Sequence, residues 1–322
     1  MRLLTLTLNP AIDLTISLDH LVPGEVHRAR ASRSDPGGKG INVASVLADW
    51  GLQPAAHGLL GRDNAAPFEA LFAAKGIADK CLRVAGATRT NLKLVDAADT
   101  TDINMDGPAI TPEEAAAALA GVVAEAGPDA LVVLAGSLPA ACPPDTYAEA
   151  VAALRGRGAR VLLDTSGAAL QKALAAAVLP DVIKPNRREL ADWAGRPLAT
   201  MGDVLRVAGD LRARGVALVV VSMGAEGALF VGAGGALLAR LAAGPLASTV
   251  GAGDAMVAGL AAALAEGADL PRMARLATAF AVAKLGRAGP HLPERACVEA
   301  LADEVTIAAA ETIGAGVRGE DE

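Results

Sequence analysis

The sequence predicts an α/β fold, a three-layer sandwich with a mostly parallel central sheet and a small separate β-sheet as a lid. Three observations predict it. Apolar strand segments alternate with helical segments from about residue 108 onward, which is the order of βαβ units. Residues 130–135 are wholly apolar, as in a strand buried on both faces of a parallel sheet. The segments 13–33 and 88–104 break the alternation with short strands, which we expect to pair over the functional site.

The elements before residue 108 follow from local patterns. Leu and Thr alternate over residues 1–8, which indicates a first strand. Behind a cluster of glycines, Val43, Val46 and Trp50 have helical spacing. In chain order, the predicted elements are a strand at 1–8, a helix at 41–50, a strand at 55–60, a helix at 65–75, and lid strands at 91–95 and 100–104.

The elements after residue 108 are more regular. The run Thr111-Pro112-Glu113-Glu114 combines a cap, a first-turn proline and early acids, so a helix begins there. Two short strands around a glycine-rich turn indicate a hairpin. The predicted helices are 111–126, 145–155, 168–176, 188–194, 201–214, 253–265 and 270–285, and the strands are 130–135, 160–164, 181–184, 217–222, 227–231 and 236–241.

The composition favours one large domain. Of the 322 residues, 52% are hydrophobic and 20% are charged, so a sizeable core is available and extensive disorder is not expected. We predict a single domain over residues 1–312, with the two lid segments inserted into it. The last residues, 313–322, are predicted to be a disordered tail.

The charge balance excludes some partners. Lys and Arg total 29 and Asp and Glu total 36, and the resulting net charge of −7 disfavours non-specific binding to nucleic acid or to anionic membranes. The apolar stretch 255–265 is too short to span a bilayer, and Asp254 and Glu266 bound it. The N-terminus lacks a signal-peptide pattern, so we predict a cytoplasmic protein.

The segment 248–254 (STVGAGD) joins a strand end to a helix start through small residues. Gly251, Ala252 and Gly253 let backbone N–H groups approach an anion, and the helix dipole favours negative charge there. Asp254 lies in the first turn, where it suits a general base that takes a proton from an attacking hydroxyl. Ordinary capping of the helix by an aspartate is the alternative interpretation.

Glycines also open the helix at 37–42 (GGKGIN), here together with a cation, Lys39, and an amide, Asn42. The spacing of a Walker A loop is absent. Taken alone, this segment is also compatible with a flexible turn that glycine caps.

The segment 184–189 (KPNRRE) leads into a third helix. Asn186 lies two residues before the predicted helix and Glu189 lies in its first turn. An acid at this place could hold Mg²⁺ or its waters near nucleotide phosphates. Ordinary capping by these two residues is the alternative.

Taken together, these segments resemble the ribokinase-like (PfkB-type) sugar kinases over nearly the whole chain. GGKGINVA at 37–44 and VGAGD at 250–254 carry the resemblance, and both in this order and separation are highly specific. The resemblance implies a ribokinase-like sandwich with a lid, and ATP and Mg²⁺ at the site. TLNPAID at 7–13, TDIN at 101–104 and KPNRREL at 184–190 are most similar to family members that phosphorylate the 6-hydroxyl of fructose 1-phosphate. Members that act on tagatose 6-phosphate or fructose 6-phosphate share much of this pattern.

The resemblance implies a sugar site on one side of Asp254. A residue like Asp13 would hold sugar hydroxyls, and one of the cations Arg89 and Lys93 would bind the sugar phosphate. Solvated charges on a hairpin are the alternative for these two cations. The positions implied for the substrate are Asp13, Gly38, Lys39, Asn42, Arg89, Asn91, Lys93, Asn104 and Ser137.

On the other side of Asp254 the resemblance implies the nucleotide. The segment 222–227 (SMGAEG) resembles the family's nucleotide turn, for which a plain hairpin turn is the alternative. The positions implied for ATP are Lys184, Asn186, Ser222, Gly224 and Gly227, and Glu189 is implied for Mg²⁺. Ser248 and Val250 lie where relatives bind a monovalent cation, which leaves a role for K⁺ open.

The implied reaction is a direct in-line transfer. Asp254 would accept the proton of the hydroxyl, and the N–H groups of Gly251, Ala252 and Gly253 would stabilise charge on the γ-phosphoryl group. Pairing of two chains through the lid is implied by analogy. A nicotinamide-dependent oxidoreductase is disfavoured because no GxGxxG follows the first strand. A sugar-phosphate sensor without turnover is the alternative from a different class, and the presence of Asp254 disfavours it.

Overall fold

The computed structural model describes residues 1–97, 100–242, 251–287 and 289–309. Strands and helices are numbered separately in chain order. The strands are Arg2–Thr7 (β1), Ala11–Ser17 (β2), Ala31–Gly37 (β3), Pro54–Gly61 (β4), Ala78–Val84 (β5), Thr90–Val95 (β6), Thr100–Ile103 (β7), Ala130–Ala135 (β8), Arg160–Asp164 (β9), Val182–Ile183 (β10), Leu218–Ser222 (β11), Ala228–Gly232 (β12), Gly235–Arg240 (β13) and Thr306–Ala309 (β14).

The helices separate most of the parallel strands along the chain. They are Lys39–Asp49 (α1), Ala66–Lys75 (α2), Pro112–Glu125 (α3), Thr146–Gly156 (α4), Gly167–Ala175 (α5), Arg187–Ala194 (α6), Met201–Ala213 (α7), Ala252–Ala265 (α8), Leu270–Leu285 (α9) and Arg295–Glu304 (α10). Short 3₁₀ turns at Arg62–Asn64 and Gly224–Glu226 complete the regular structure of the described residues.

Most strands form one large sheet, in the order β14-β13-β12-β11-β10-β9-β8-β1-β4-β5. From β11 to β5 neighbouring strands are parallel. The hairpin strands β12 and β13 and the last strand β14 continue the sheet in antiparallel pairing. The predicted α/β fold with a mostly parallel sheet is therefore confirmed. Since the carboxyl ends of parallel strands meet at one edge, that edge is where a site is expected.

Helices cover both faces of this sheet, and a buried apolar cluster lies under each layer. Side chains of α3 to α7 pack on one face, and side chains of α1, α8, α9 and α10 pack on the other. The Ala-rich pair α8 and α9 approach very closely, because a Cβ on Gly259 would lie only 2.7 Å from the Cα of Ala277. Close packing of small side chains thus fixes the helix that carries Asp254.

The lid is a separate sheet of strands in the order β3-β2-β6-β7. Pairing of β2 with β6 sets Asp13 beside Asn91 and Thr15 beside Lys93 on one face. The alternate residues, such as Leu14 and Leu92, point to the other face, because strand side chains alternate. The lid therefore has a polar face and an apolar face. The first pair of strands, from Ala11 to Gly37, extends a few residues beyond the predicted segment 13–33, and the second pair, from Thr90 to Ile103, lies within the predicted segment 88–104.

Two strands and one α-helix of the structure have no counterpart in the sequence prediction. These are β5 at the edge of the large sheet, α10, and β14. In β5 most side chains are exposed or half-buried, so it lacks the apolar run of a central strand. The predicted tail at 313–322 lies outside the described residues, and one domain over 1–312 stays a prediction. Among the helices described, none has the length and apolar character needed to cross a bilayer.

Candidate active site

Helix α8 begins without a side-chain cap. Its N-cap residue is Gly251, with φ of +83°, a left-handed conformation that glycine adopts without strain. Among the described residues, no side chain caps this helix start. Amides at an uncapped helix start are free to bind an anion, and the dipole favours one. Residues 248–250 of the predicted segment lie outside the described part of the chain.

Asp254 lies in the first turn of α8 and is buried, with 8% of its surface exposed. Its Oδ2 accepts a hydrogen bond of 2.8 Å from Nδ2 of Asn42 on α1. Burial, together with the negative charge of Asp164, raises the pKa of Asp254 to about 6, while the charge of Lys39 opposes the shift. A carboxyl group with such a pKa is suited to accept a proton near neutral pH.

Helix α1 begins in the same way. Its N-cap is Gly38, with φ of +114° and no side-chain cap. A Cβ at Gly38 would lie 2.9 Å from both the Cα of Pro10 and the Cγ2 of Thr7, so only glycine fits. The tight approach to the end of β1 brings Lys39 and Asn42 to the edge of the large sheet. The two predicted glycine segments therefore meet.

Asp164 lies between two lysines, at the carboxyl end of β9. Its Oδ2 is 3.2 Å from Nζ of Lys39, and its Oδ1 is 3.4 Å from Nζ of Lys184. Burial alone would raise the pKa of Asp164, but the charges of Lys184 and Lys39 outweigh it and hold the pKa below its usual range. Lys184 also reaches α8, since a Cβ on Gly253 would lie 3.6 Å from its Nζ. Two cations thus face the mouth of α8, held by one buried carboxylate.

The polar face of the lid closes the other side of the site. Asn91 donates from Nδ2 to Oδ1 of Asp13 at 3.3 Å, and its Oδ1 accepts from the backbone N–H of Met105 at 3.3 Å. Burial raises the pKa of Asp13, against the lowering effect of the charge of Lys93. Asp13 and Lys93 line one cavity with Asn42 and Gly251. The cavity joins the predicted sugar residues to the start of α8.

The two predicted phosphate-binding cations of the lid are both engaged. The guanidinium group of Arg89 donates to three backbone carbonyls, those of Asn9, Pro10 and Met105, at 2.9–3.3 Å. Lys93 lies 3.2 Å from the carboxylate of Asp102. In this state Arg89 joins the lid to the end of β1, and phosphate binding by either residue stays a prediction.

Two further predicted substrate residues lie at the rim of the site. Ser137, which follows β8, accepts a hydrogen bond of 3.1 Å from Nδ2 of Asn9. Asn104 follows β7 and is exposed. Neither residue is in the buried group around Asp254, so substrate binding by each of them stays a prediction.

On the nucleotide side, Asn186 and Glu189 form a capping box at the start of α6. Each side chain accepts a 2.8 Å hydrogen bond from the backbone N–H of the other residue. This bears out the capping interpretation and leaves the Oε1 of Glu189 as the carboxylate oxygen outside the box. Among the described residues no group of three or more His, Cys, Asp or Glu side chains is arranged to hold a metal.

The predicted nucleotide turn is a 3₁₀ turn between β11 and β12. Ser222 pairs with Asn186 in an isolated parallel bridge, which places this turn next to the start of α6. Gly224 has φ of +61° within the turn. At Gly227 a Cβ would lie 2.2 Å from the carbonyl oxygen of Ala239, so contact with β13 explains this glycine without a ligand. Nucleotide binding by these residues stays a prediction.

Sequence reasoning missed two residues of the buried group. Asp164 ends an apolar strand at the site edge of the sheet, a position that could have indicated a role. Lys284 lines the cavity from the last turn of α9, and its only sequence signal was a charge inside an Ala-rich helix.

Comparison with known proteins gives a consistent result. The family profile described as pfkB family carbohydrate kinase matches residues 6–297. A 1-phosphofructokinase of Xanthomonas campestris pv. campestris is 52% identical over 294 residues, which are 88% of this chain and 91% of that protein. A 1-phosphofructokinase of Rhodobacter capsulatus is 50% identical, over 95% of this chain and 98% of that protein. The crystal structure of phosphofructokinase-2 from Escherichia coli with substrates and products has a TM-score of 0.88 at 30% identity, covering 94% of this chain and 99% of that one.

Proposed function

The chain belongs to the pfkB family of carbohydrate kinases, and from that premise we propose that it phosphorylates the 6-hydroxyl of fructose 1-phosphate. The donor is ATP, and the products are fructose 1,6-bisphosphate and ADP. The observation that carries the proposal is a buried carboxylate, Asp254, held by Asn42 at the uncapped start of α8 and beside a polar cavity. The names of the two relatives at 50–52% identity support this sugar phosphate.

The proposed reaction is one displacement at phosphorus. The 6-oxygen attacks the γ-phosphorus while the bond from that phosphorus to the β,γ-bridging oxygen breaks, and ADP leaves with the electron pair. Asp254 accepts the hydroxyl proton. The N–H groups at the start of α8 and the ammonium group of Lys184 offset negative charge on the phosphoryl group.

The substrate contact that the resemblance implies for Lys39 stays a prediction. Nζ of Lys39 is 3.2 Å from Oδ2 of Asp164. The negative charges of Asp254 and Glu189 also interact favourably with this ammonium group. These carboxylates, with Asp164 first, raise the pKa of Lys39 against the effect of burial, so it stays charged. We propose that Lys39 contacts phosphate oxygens between the sugar and the nucleotide, in addition to the sugar side.

We propose Mg²⁺ as the divalent ion that accompanies ATP. Mg²⁺ is often held by one or two carboxylates, waters and the nucleotide phosphates, so a dedicated cluster of protein ligands is not needed. The second carboxylate oxygen of Glu189 fits such a position while the first stays in the capping box. Bound Mg²⁺ would neutralise phosphate charge.

We further propose that two chains pair through the apolar face of the lid. Leu14, Leu92 and Leu94 on this face are half-buried, and Ile103 at its edge is 45% exposed. A partner that covered this face would remove apolar surface from water. Light scattering tests the pairing: Leu14→Asp with Leu92→Asp should convert a dimer to a monomer.

Because ATP is the proposed donor, we also place the enzyme in the cytoplasm.

A substrate panel tests the proposed function. ATP-coupled turnover is measured side by side on fructose 1-phosphate, fructose 6-phosphate and tagatose 6-phosphate. We expect the highest kcat/KM for fructose 1-phosphate. A preference for either other sugar would keep the kinase assignment and change the substrate. Binding of a sugar phosphate without consumption of ATP would instead favour the sensor.

A further inference from the structure

The cavity beside Asp254 contains a buried cation that the mechanism above does not use. Lys284, in the last turn of α9, is 3% exposed and lines the cavity together with Asn42 and Gly251. A Cβ built on Gly251 would lie 3.3 Å from its Cε and 3.9 Å from its Nζ. The ammonium group therefore lies beside the first residue of the α8 start.

Lys284 differs in its partners from the buried Lys184 and from the half-buried Lys39 and Lys75. Lys39, Lys75 and Lys184 each lie within 3.4 Å of a carboxylate oxygen. In the part of the chain that the structure describes, no carboxylate oxygen lies within 4.0 Å of Nζ of Lys284, and its hydrogen bond goes to the carbonyl oxygen of Arg287 at 2.9 Å. A buried ammonium group without a counter-charge in contact is costly, so its position calls for an explanation.

The surroundings make the position still less favourable for a cation. Burial and the positive charge of Arg33 lower the pKa of Lys284, and the charges of Asp254 and Asp35 only partly oppose this. The start of α8 adds the positive end of a helix dipole. An anion bound at the start of α8 would stabilise the charged form of Lys284, because it would supply the missing counter-charge.

We infer that Lys284 binds the phosphoryl group during its transfer, through its ammonium group beside Gly251, as a further catalytic residue of this site. The inference rests on the proposed kinase function. Lys284 gives up no proton in this role. It offsets charge that grows on the phosphoryl oxygens from its place beside Gly251, while Lys184 lies near Gly253.

Kinetics of Lys284→Met provide the first test, because methionine fills the space of the side chain up to its last carbon and removes the terminal ammonium group with its charge. We expect kcat to fall about 10²-fold, as when one donor to a transition state is removed, with KM for the sugar changed much less. Added ammonium ions should restore part of kcat by entering the vacated space. Unchanged kcat would overturn the inference, and so would a loss seen only in the sugar KM.

Lys75→Met is the matched control. Lys75 is half-buried and donates to the carbonyl oxygen of Pro290, which lines the same cavity, but its charge is paired with Asp49. We expect this variant to lose stability and to keep kcat, with no response to ammonium ions. Equal losses of kcat in the two variants would indicate a general effect of disturbed packing and would overturn the role of Lys284.

A binding measurement separates this inference from the proposed function. Mg²⁺, ADP and aluminium fluoride together imitate the phosphoryl group in transfer without any sugar turnover. We expect this mixture to bind at least 10-fold more weakly to Lys284→Met than to the wild type, while ADP alone binds equally. If the wild type phosphorylates no sugar in the panel, the proposed function fails, and this comparison still decides on Lys284. Equal binding of the mixture would refute its role, and Lys284→Gln replaces the methionine variant if that does not fold.

Discussion

The starts of helices α3 and α7 differ from those of α1 and α8, and only the second pair lies at the candidate site. Helices α3 and α7 start with capping boxes, Thr111 with Glu114 and Thr200 with Asp203. In each box two of the first amides are satisfied by side chains, so fewer remain for a ligand. Helices α1 and α8 start at glycines of positive φ without any side-chain cap. Both starts lie at the same edge of the sheet, and Asn42 of α1 and Gly251 of α8 line one cavity.

Helix α6 combines both kinds of start. It carries a capping box, yet its Glu189 lies close enough to Lys39 to raise the pKa of that lysine. A capped start near the site can contribute a charged side chain while its amides are satisfied. Within the described ranges, helices α2, α4, α5 and α10 also lack a side-chain cap, so a missing cap alone does not indicate an anion site. What distinguishes α1 and α8 is an N-cap glycine of positive φ next to Asp254 and the two lysines. A carboxylate in a cap is likewise not by itself a ligand.

The largest effect is expected at the acid of the uncapped helix. Asp254→Asn removes the proton acceptor and keeps the shape, so kcat should fall by about 10²–10⁴-fold. Asp203→Asn is the control, since Asp203 has the same first-turn position in the capped helix α7 and should leave kcat unchanged. The measurement is coupled ADP release at saturating substrates. Near-normal turnover of Asp254→Asn would end the assignment of the general base.

A smaller effect is expected from the glycine that opens α8. Gly251→Ala and Gly195→Ala both place a Cβ on left-handed backbone, with φ of +83° and +66°, and each should cost about 1 kcal/mol of stability. Gly195 ends α6 and has open space around it. Only Gly251→Ala should also lower kcat, by about 10-fold, because its Cβ crowds Lys284 and shifts the open amides. Equal kcat values for Gly251→Ala and Gly195→Ala would show that the turn at Gly251 does not contribute to catalysis.

Helix α6 gives a third test of the comparison. Glu189→Gln keeps both hydrogen bonds of the capping box and removes the charge. If Glu189 helps to hold Mg²⁺, the concentration of Mg²⁺ for half-maximal activity should rise about 10-fold. Glu114→Gln makes the same change in the capping box of α3 and should have no effect. If activity depends on the Mg²⁺ concentration in the same way in both variants, Glu189 caps the helix and does not help to hold Mg²⁺.

The sequence was sufficient for the parts of the fold that repeat a strong local pattern. The apolar strand β8 and the helix start at Thr111 were predicted to within one residue. The edge strand β5 was missed, because its exposed and half-buried side chains carry no apolar run, and its pairing with β4 depends on the rest of the sheet.

The residues of the candidate site also divide into those that a local sequence pattern predicted and those that it did not. Asp254, Asn42 and Lys39 were found because glycine segments with a known chemistry contain them, and the structure brings them together. Asp164 and Lys284 were not found, because each belongs to an ordinary strand or helix in sequence. Their proximity to α8 arises only when β9 and α9 pack against the rest of the sheet and helix layer.

The last prediction concerns stability and has opposite signs for the two aspartates. The pKa of Asp254 is raised to about 6, chiefly by burial, so its ionisation destabilises the folded state progressively from about pH 4 upward and fully above pH 6. Asp254→Asn should therefore be more stable than the wild type at pH 7.5, by about 1–3 kcal/mol, and by less than half of that at pH 4.5. Hydrogen bonds from Thr200 lower the pKa of Asp203 to about 2, so its charge stabilises the fold above its ordinary pKa, and Asp203→Asn should be less stable at pH 7.5. Urea unfolding of the three proteins at both pH values measures this. A stabilisation by Asp254→Asn that is the same at both pH values would show that removal of the buried charge is not its cause.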